Sequence, residues 1–306
     1  MIEVDKALRR SPSPAQLAWV EHTIGGGARV TGVRRMLGGI TSSVHRLSVL
    51  SRTGAHTQVV LKRFSGRRWG DEDAVIRNEA AALTALEGTD TPAPRLLGLS
   101  PEGTETSGVP SLLMTCAPGR VWLAPVDVDA WTRQLARLLP TLHAGSAAVW
   151  THSRRDPDAL TIPRSALRPD VWAAAKEVVA SEPPRCEPVH THGDFQHFNV
   201  LWKRGLLSAL IDWSASRMAP PDVDVGHCRL NLAVLFSAEV AERFRLMYES
   251  EAGRQVEPWW DVHQLLAYGD DWPAFIRVQV AGRAPLDVRG MTGRVEKLLA
   301  GGLARL

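Results

Sequence analysis

Short runs in which apolar and polar residues alternate occupy much of the first third of the chain. They predict β-strands over 29–36, 44–50, 59–62, 92–100 and 111–116. A longer segment, 71–87, carries apolar residues three and four apart and predicts a helix after the third strand. A further helix is predicted to begin after Ser13, where Ser-Pro-Ala-Gln has the form of a capping box, and to end at the glycines 25–27. The pattern therefore predicts a small lobe of five strands and one main helix.

Helical spacing dominates the rest of the chain. Apolar residues recur at helical intervals in 128–142, 166–181, 220–235, 238–251, 259–268 and 294–303. We expect Pro140 to kink or end the first of these helices, because proline lacks a backbone N–H and clashes with the preceding turn. Short runs at 188–191 and 206–211 predict strands, of which the second is the clearer. A lobe with strands followed by a mainly helical lobe gives an α+β fold.

Composition narrows the class of protein. The 306 residues carry 36 Lys and Arg against 33 Asp and Glu, without a long run of one sign, which argues against a dedicated nucleic-acid binder. The three cysteines form no C-x-x-C pair and fit reduced thiols. The N-terminus is too polar for a signal peptide, and no apolar run has membrane-spanning length. We expect a cytoplasmic monomer or homodimer without a nucleic-acid or membrane partner.

The stretch Thr191–Leu201, THGDFQHFNVL, is the first candidate for chemistry. It places Asp194 five residues before Asn199, and Asp212 follows at the end of the next strand. Phosphoryl transfer uses a carboxylate to orient the attacking hydroxyl, and Asn and Asp oxygens to bind Mg²⁺. Asp and Asn are also common turn residues. One such pair alone would favour the turn interpretation, but the whole set of residues is more specific.

Lys62 and Glu79 form the second candidate. Lys62 lies in the apolar strand Val59–Lys62, and Glu79 points along the apolar face of the following helix. A carboxylate on an inward face is costly unless it is paired, and Lys62 is the nearest suitable partner. The alternative is that Glu79 lies at the edge of the apolar stripe and reaches solvent.

These residues resemble a known family. The interval from Asp194 to Asn199 matches the D-x-x-x-x-N of a protein-kinase catalytic loop, and Asp212 stands where the Asp of D-F-G would stand. With His-Gly-Asp and Asp-Trp-Ser in these places, the chain resembles the aminoglycoside phosphotransferase and choline-kinase-like family. It departs from that family at 196–198, Gln-His-Phe, where His-Pro-Gly is more usual.

The resemblance implies a bilobal protein-kinase-like fold that uses ATP or GTP with Mg²⁺. The strand that stops at Pro118 would form the hinge between a nucleotide-binding lobe, 1–116, and a catalytic and substrate-binding lobe, 117–306. A glycine hairpin at 37–43 would cover the phosphates, and Lys62, fixed by Glu79, would contact them. The residues expected to contact the nucleotide are Gly38, Gly39, Thr41, Ser42, Ser43, Lys62, Glu79, Thr115 and Cys116.

The resemblance also implies roles for residues of the second lobe. Asp194 would be catalytic, and Asn199 with Asp212 would bind the metal. His192 and Asp224 would brace the catalytic loop, Asp224 by accepting backbone hydrogen bonds, although an Asp in this place is also a favoured helix cap. Aromatic and acidic residues near the C-terminus suit a polar organic substrate, or else are core tryptophans with a solvated turn. These substrate candidates are Trp260, Asp261, Asp270 and Asp271.

The resulting prediction is an O-phosphotransferase that acts on a hydroxylated small molecule, in the first instance an antibiotic. A metabolite kinase of the choline or sugar-derivative type is the alternative. A metal hydrolase built on His190-x-His192 with Asp194 and His197 would leave Lys62 unexplained. A catalytically inactive nucleotide-binding module would have no need for Asp194.

The charge of the second lobe bears on the substrate. Residues 117–306 carry 22 acidic side chains against 22 basic ones. A polycationic aminoglycoside calls for a strongly acidic site, because opposite charge attracts and steers it. The balance predicts a neutral or weakly cationic substrate with an apolar or ring face.

Overall fold

The computed structural model describes residues 10–36, 42–64, 72–147, 149–151 and 156–306. The chain divides into two compact units. The first runs to Pro118 and includes Trp213–Ala215, and the second comprises Gly119–Asp212 and Ser216–Leu306. The predicted α+β class is confirmed, because the first unit is rich in strands and the second is mainly helical.

The described strands of the first unit form one antiparallel sheet in the order β1-β2-β3-β5-β4. The elements of this unit are α1 (Pro14–Ile24), β1 (Arg29–Arg35), β2 (Ser42–Leu50), β3 (His56–Phe64), α2 (Glu72–Ala85), β4 (Leu96–Ser100) and β5 (Ser111–Thr115). The five predicted strands are therefore present, with ends displaced by a few residues.

Helix α1 begins as the sequence predicts. The Ser13 hydroxyl accepts from the Gln16 N–H at 3.3 Å, and the Gln16 side chain accepts from the Ser13 N–H at 2.9 Å. The two bonds satisfy donors that the first turn leaves unpaired. Val20 of this helix joins Leu47, Leu61 and other buried apolar residues in one core cluster, which holds α1 against the sheet.

Helix α2 buries the predicted apolar stripe. Ile76 and Leu83 are nearly inaccessible, because residues at helical spacing fall on one face. Asn78 lies on the same helix and donates from Nδ2 to the Ser214 carbonyl at 3.1 Å. This bond connects α2 with Trp213–Ala215, the short segment that belongs to the first unit although it lies late in the sequence.

The second unit is built from helices and short strands. Its elements are α3 (Val128–His143), β6 (Trp150–Thr151), α4 (Pro169–Ala180), β7 (Val189–Thr191), β8 (Val200–Lys203), β9 (Leu206–Leu210), β10 (Arg217–Ala219), α5 (Asp222–Leu235), α6 (Ala238–Ala252), α7 (Pro258–Leu265), α8 (Trp272–Val280) and α9 (Met291–Leu303). Strand β10 pairs with β7 on one side and β6 on the other, and β8 pairs with β9 as a hairpin.

Two details of this unit differ from the sequence prediction. Pro140 does not end its helix, since α3 continues through it to His143 with a buried face that includes Leu135 and Leu142. Burial of that face outweighs the local cost of proline. Helix α8 was not predicted, although Pro273 in its first turn is a typical helix start.

Helix α5 is the centre of the second unit. It packs against α6, α7 and α9, and nearly every one of its side chains is buried. Its buried charges are paired: Arg254 donates to both oxygens of Asp222 at 2.9 Å, and Arg229 contacts Glu242 at 2.7 Å. Over the described ranges, every helix falls short of the length and apolarity needed to cross a membrane.

Candidate functional site

Lys62 and Glu79 meet in the first unit. Lys62 Nζ lies 2.6 Å from Glu79 Oε2, and the two side chains are only 5% and 1% exposed. Strand β3 carries the lysine and α2 carries the glutamate, so the pair connects sheet and helix. The ammonium also lies 5.1 Å from the centre of the Phe64 ring. Because both side chains are shielded from water, removing either one would take from the other its buried ion-pair partner.

The predicted glycine hairpin is only partly described. Gly38, Gly39 and Thr41 lie outside the described residues. Ser42 and Ser43 were placed in the turn by the sequence, but they are buried residues of β2 that pair with Phe64 and Arg63. Because both serines are paired with β3, they do not lie at the tip of a loop.

The predicted hinge residues stand where β5 ends. The Thr115 N–H donates to the Arg95 carbonyl at 2.9 Å, and the Thr115 hydroxyl accepts from the Arg95 N–H at 2.9 Å. The Cys116 N–H donates to the Gln58 carbonyl at 3.3 Å. Both backbone donors are thus used inside the first unit, and they are not available to a base.

Asp224 fixes the backbone before Asp194. Its two oxygens accept from the N–H groups of His192 and Gly193, each at 2.8 Å, and Oδ2 lies 3.2 Å from His143 Nε2. Burial by itself would raise the pKa of Asp224, but these hydrogen bonds and nearby histidines lower it below its usual value. Gly193 has φ +76°, a conformation that side chains with a Cβ rarely adopt. The buried anion and the glycine together set the turn that presents Asp194.

The Asp194 carboxylate is held by neighbouring side chains. Oδ1 accepts from Gln196 Nε2 at 2.7 Å, and Oδ2 accepts from Asn199 Nδ2 at 2.9 Å. The side chain is 32% exposed, so it is both oriented and reachable.

Asn199 is oriented by Asp194. Its Nδ2 donates to the Asp194 carbonyl as well as to the carboxylate, each at 2.9 Å. Since only the nitrogen of an amide can donate, these two bonds identify Nδ2 as the atom that faces Asp194 and distinguish it from Oδ1. The Asn199 Oδ1 atom is therefore the end directed away from Asp194, as a metal-binding amide oxygen requires.

His192 links the loop that carries Asp194 to the residue before Asp212. Its Nδ1 accepts from the Asp194 N–H at 3.3 Å, so Nε2 carries the proton and donates to the Ile211 carbonyl at 3.0 Å. Burial lowers the pKa of His192 and so keeps the ring neutral. A neutral ring can accept a hydrogen bond at Nδ1 while it donates one from Nε2. The Ile211 N–H in turn donates to the Asn199 carbonyl at 2.9 Å.

Asp212 has an unusual backbone. Its φ is +68°, in the left-handed region that costs a non-glycine residue about 1 kcal/mol or more. Strain of this kind persists where the surroundings hold the residue, and the two bonds of Ile211 do so here.

The histidines of the rival metal-hydrolase interpretation do not converge. His190 donates to Ser216 Oγ at 2.7 Å, and His192 is occupied as described above. His197 lies among Trp131, Phe198 and Phe236 with ring centres 4.3 to 5.9 Å apart. Among the described residues no group of three His, Cys, Asp or Glu side chains is arranged to hold a metal ion.

The substrate candidates separate into two kinds. Asp261 is 0% exposed and its Oδ2 accepts from both Arg229 and Arg305, and Trp260 is also buried. The structure therefore corrects the expectation for these two, which are core residues of the second unit. Asp270 and Asp271 are exposed at the start of α8, where the Asp270 Oδ1 accepts from the Arg164 N–H at 2.8 Å.

The sequence did not identify His227. This residue lies on α5, one turn after Asp224, and its Nε2 is 2.8 Å from Asp194 Oδ1. The available signal was its position: residues three apart share a helix face, and Asp224 already binds the loop.

The chain as a whole is similar to known proteins. The model of a family described as phosphotransferase enzymes matches residues 38–263. No curated protein matches the sequence of the chain.

Solved structures share the fold. A thermostable mutant of an aminoglycoside phosphotransferase, solved with AMP-PNP and hygromycin B, is 13% identical, with 95% of this chain and 98% of that chain covered and a TM-score of 0.61. The macrolide 2'-phosphotransferase of Brachybacterium faecium is 16% identical, with coverages of 94% and 98% and a TM-score of 0.55. A protein of Thermobifida fusca provisionally described as a fructosamine-3-kinase is 20% identical, with coverages of 93% and 98% and a TM-score of 0.54. These likenesses confirm the protein-kinase-like fold.

Proposed function

The chain belongs to the phosphotransferase enzyme family and is a small-molecule kinase, and from that premise we propose that it transfers the γ-phosphoryl group of ATP or GTP to a hydroxyl group of an antibiotic. The observation that carries the proposal is the state of Asp194. Its carboxylate is fixed by Gln196 and Asn199, its backbone is fixed by Asp224 through the two residues before it, and it is still partly exposed. A carboxylate so held is suited to orient a hydroxyl.

Asp194, Lys62 and Glu79 each have a distinct role in the proposed reaction. The acceptor hydroxyl oxygen forms a bond to the γ-phosphorus, the bond from that phosphorus to the bridging oxygen of the nucleoside diphosphate breaks, and Asp194 takes the hydroxyl proton. Lys62, held by Glu79, would bind nucleotide phosphate oxygens with its ammonium. A neighbour with AMP-PNP bound has the same fold, in support of the nucleotide.

A magnesium ion fits the residues present. Mg²⁺ prefers carboxylate and amide oxygens, and Asn199 Oδ1 and the Asp212 carboxylate are of this kind. The bonds from Asn199 Nδ2 to Asp194 direct the Asn199 oxygen away from that residue. Bound there, the ion would neutralise negative charge on the phosphates.

We expect a neutral or weakly cationic acceptor. The 22 acidic and 22 basic side chains of residues 117–306 balance, and one acidic candidate, Asp261, is buried and accepts hydrogen bonds from Arg229 and Arg305. Asp270 and Asp271 remain as exposed acidic candidates. A macrolide, nucleoside or peptide antibiotic with free hydroxyls fits this balance better than a polycationic aminoglycoside.

A phosphorylation screen tests the proposal. The purified protein is incubated with Mg²⁺ and labelled ATP or GTP against macrolide, nucleoside, peptide and aminoglycoside antibiotics, choline and sugar derivatives. We expect labelled product from a neutral antibiotic. Product from choline or a sugar derivative only would establish the metabolite-kinase alternative, and efficient turnover of kanamycin-like compounds alone would contradict the charge argument.

Asp194→Ala is the decisive variant in the same assay. It should lower the rate about 10²–10⁴-fold, as loss of a general base typically does. Nucleotide affinity should stay near that of the wild type, because Asp194 acts on the hydroxyl. A variant that keeps more than about a tenth of the rate would remove Asp194 from the catalytic role.

A further inference from the structure

His227 is a polar side chain next to Asp194 to which the proposed reaction gives no role. Its Nε2 lies 2.8 Å from Asp194 Oδ1, and its side chain is 14% exposed. Helix α5, which carries it, is joined to the loop one turn earlier through Asp224 and the N–H groups of His192 and Gly193. These bonds therefore fix the position of α5, and with it that of the His227 imidazole, beside the Asp194 carboxylate.

The two oxygens of Asp194 have different surroundings. Oδ1 accepts from Gln196 Nε2 at 2.7 Å and has His227 Nε2 at 2.8 Å, whereas Oδ2 accepts from Asn199 Nδ2 at 2.9 Å. A carboxylate oxygen offers about two lone-pair directions. Within the described part of the chain, Oδ1 has two side-chain nitrogens within 2.8 Å, of which Gln196 Nε2 has hydrogen-bond geometry and His227 Nε2 does not, while Oδ2 has one nitrogen at 2.9 Å.

We propose that His227 is a positioning residue for the transfer reaction: it occupies Asp194 Oδ1 together with Gln196, so that the acceptor hydroxyl is received on Oδ2. This inference rests on the proposed function. Without His227, the carboxylate keeps one donor on each oxygen and gains freedom to rotate about its last torsion. Such rotation mixes productive and unproductive orientations of the hydroxyl and lowers the rate of the chemical step, without altering nucleotide contacts.

Three substitutions separate positioning from packing. His227→Gln keeps an amide nitrogen at about the reach of Nε2, His227→Asn carries the same amide on a shorter side chain, and His227→Ala removes the nitrogen beside Asp194 Oδ1. His56→Ala, at an exposed residue of β3, is the control. For each variant we would measure kcat, the KM values of both substrates, the nucleotide Kd and the melting temperature.

We expect His227→Ala and His227→Asn to lower kcat about 10- to 100-fold, the scale of a displaced catalytic group. The nucleotide KM and Kd should stay within about twofold, and His227→Gln should recover kcat to within about threefold of wild type. Wild-type kcat in His227→Ala would overturn the proposal, and so would equal losses in the Gln and Asn variants, since packing alone would then explain them. If the Ala variant does not fold, the Gln and Asn pair decides.

Assays of the wild-type protein distinguish failure of the proposed function from failure of the role proposed for His227. If it phosphorylates no hydroxylated compound but hydrolyses Mg-ATP, the proposed acceptor class is wrong, and the same three variants are compared with water as the acceptor. If the wild type binds no nucleotide, both proposals are overturned.

Discussion

Asp224→Asn tests the connection between the buried anion of α5 and the catalytic loop. In the wild type, Oδ2 accepts from His192 N–H and Oδ1 accepts from Gly193 N–H, each at 2.8 Å. An amide of the same shape offers one acceptor oxygen and one NH₂ group, so one of the two backbone donors must face another donor.

The expected loss of stability follows from the number of acceptor oxygens that remain for the two backbone N–H groups. A hydrogen bond to a charged group contributes about 1.5–3 kcal/mol, and a buried donor left without an acceptor carries a further penalty. The substitution should therefore lower the free energy of unfolding of the second unit by about 2–4 kcal/mol. It should also lower kcat at least about tenfold, because Gly193 and Asp194 lose their anchor.

Urea unfolding followed by tryptophan fluorescence is the assay, since eight of the 11 tryptophans lie in the second unit. Asp271→Asn is the matched control: the same change at an exposed residue that caps nothing should leave the urea midpoint unchanged. A loss below about 0.5 kcal/mol in Asp224→Asn, with wild-type kcat, would refute the bracing role.

Three further predictions follow from the described contacts. Asp212→Asn should weaken nucleotide binding in the presence of Mg²⁺ and leave it unchanged without the ion, as calorimetry across a metal titration would show. Glu79→Gln should lower the free energy of unfolding of the first unit by up to about 3–5 kcal/mol and raise the nucleotide KM, whereas Lys62→Met combined with Glu79→Leu should restore stability but not activity; equal stability of the single and double variants would contradict this. His190→Gln should flatten the acid sensitivity of unfolding, which urea titrations at pH 7 and pH 5 would measure. Burial lowers the pKa of His190 from 6.5 to about 4, so the unfolded chain binds the extra proton as pH falls below 6.5. This one histidine should therefore lower the free energy of unfolding of the wild type by about 2 kcal/mol between pH 7 and pH 5.

The sequence predicted features that depend on local patterns. The capping box of Ser13 and the strands of the first unit follow from residues a few positions apart. Lys62 and Glu79 were also paired from sequence, because a carboxylate on an apolar face of a helix needs a cation from the neighbouring strand. The protein-kinase-like fold was implied by the resemblance of the residues around Asp194 to a known family.

Features that depend on contacts distant in sequence were missed. Asp261 next to two tryptophans has the composition of a binding site, and only the arrival of Arg229 and Arg305 makes it a core residue. The approach of His227 to Asp194 depends equally on how α5 packs, which no motif records. Pro140 shows the same limit, since the packing of α3 outweighs the residue's own preference.

The positive φ of Asp212 has a consequence for how the gene would change over time. With the metal-binding role proposed for Asp212, selection for catalysis would keep a carboxylate at a backbone position where glycine would be more stable by about 1 kcal/mol. In a descendant that no longer needs the reaction, replacement of Asp212 by glycine would stop the chemistry and relieve the strain in one step. A glycine at this place in a related sequence would therefore mark an inactive descendant whose stability has improved.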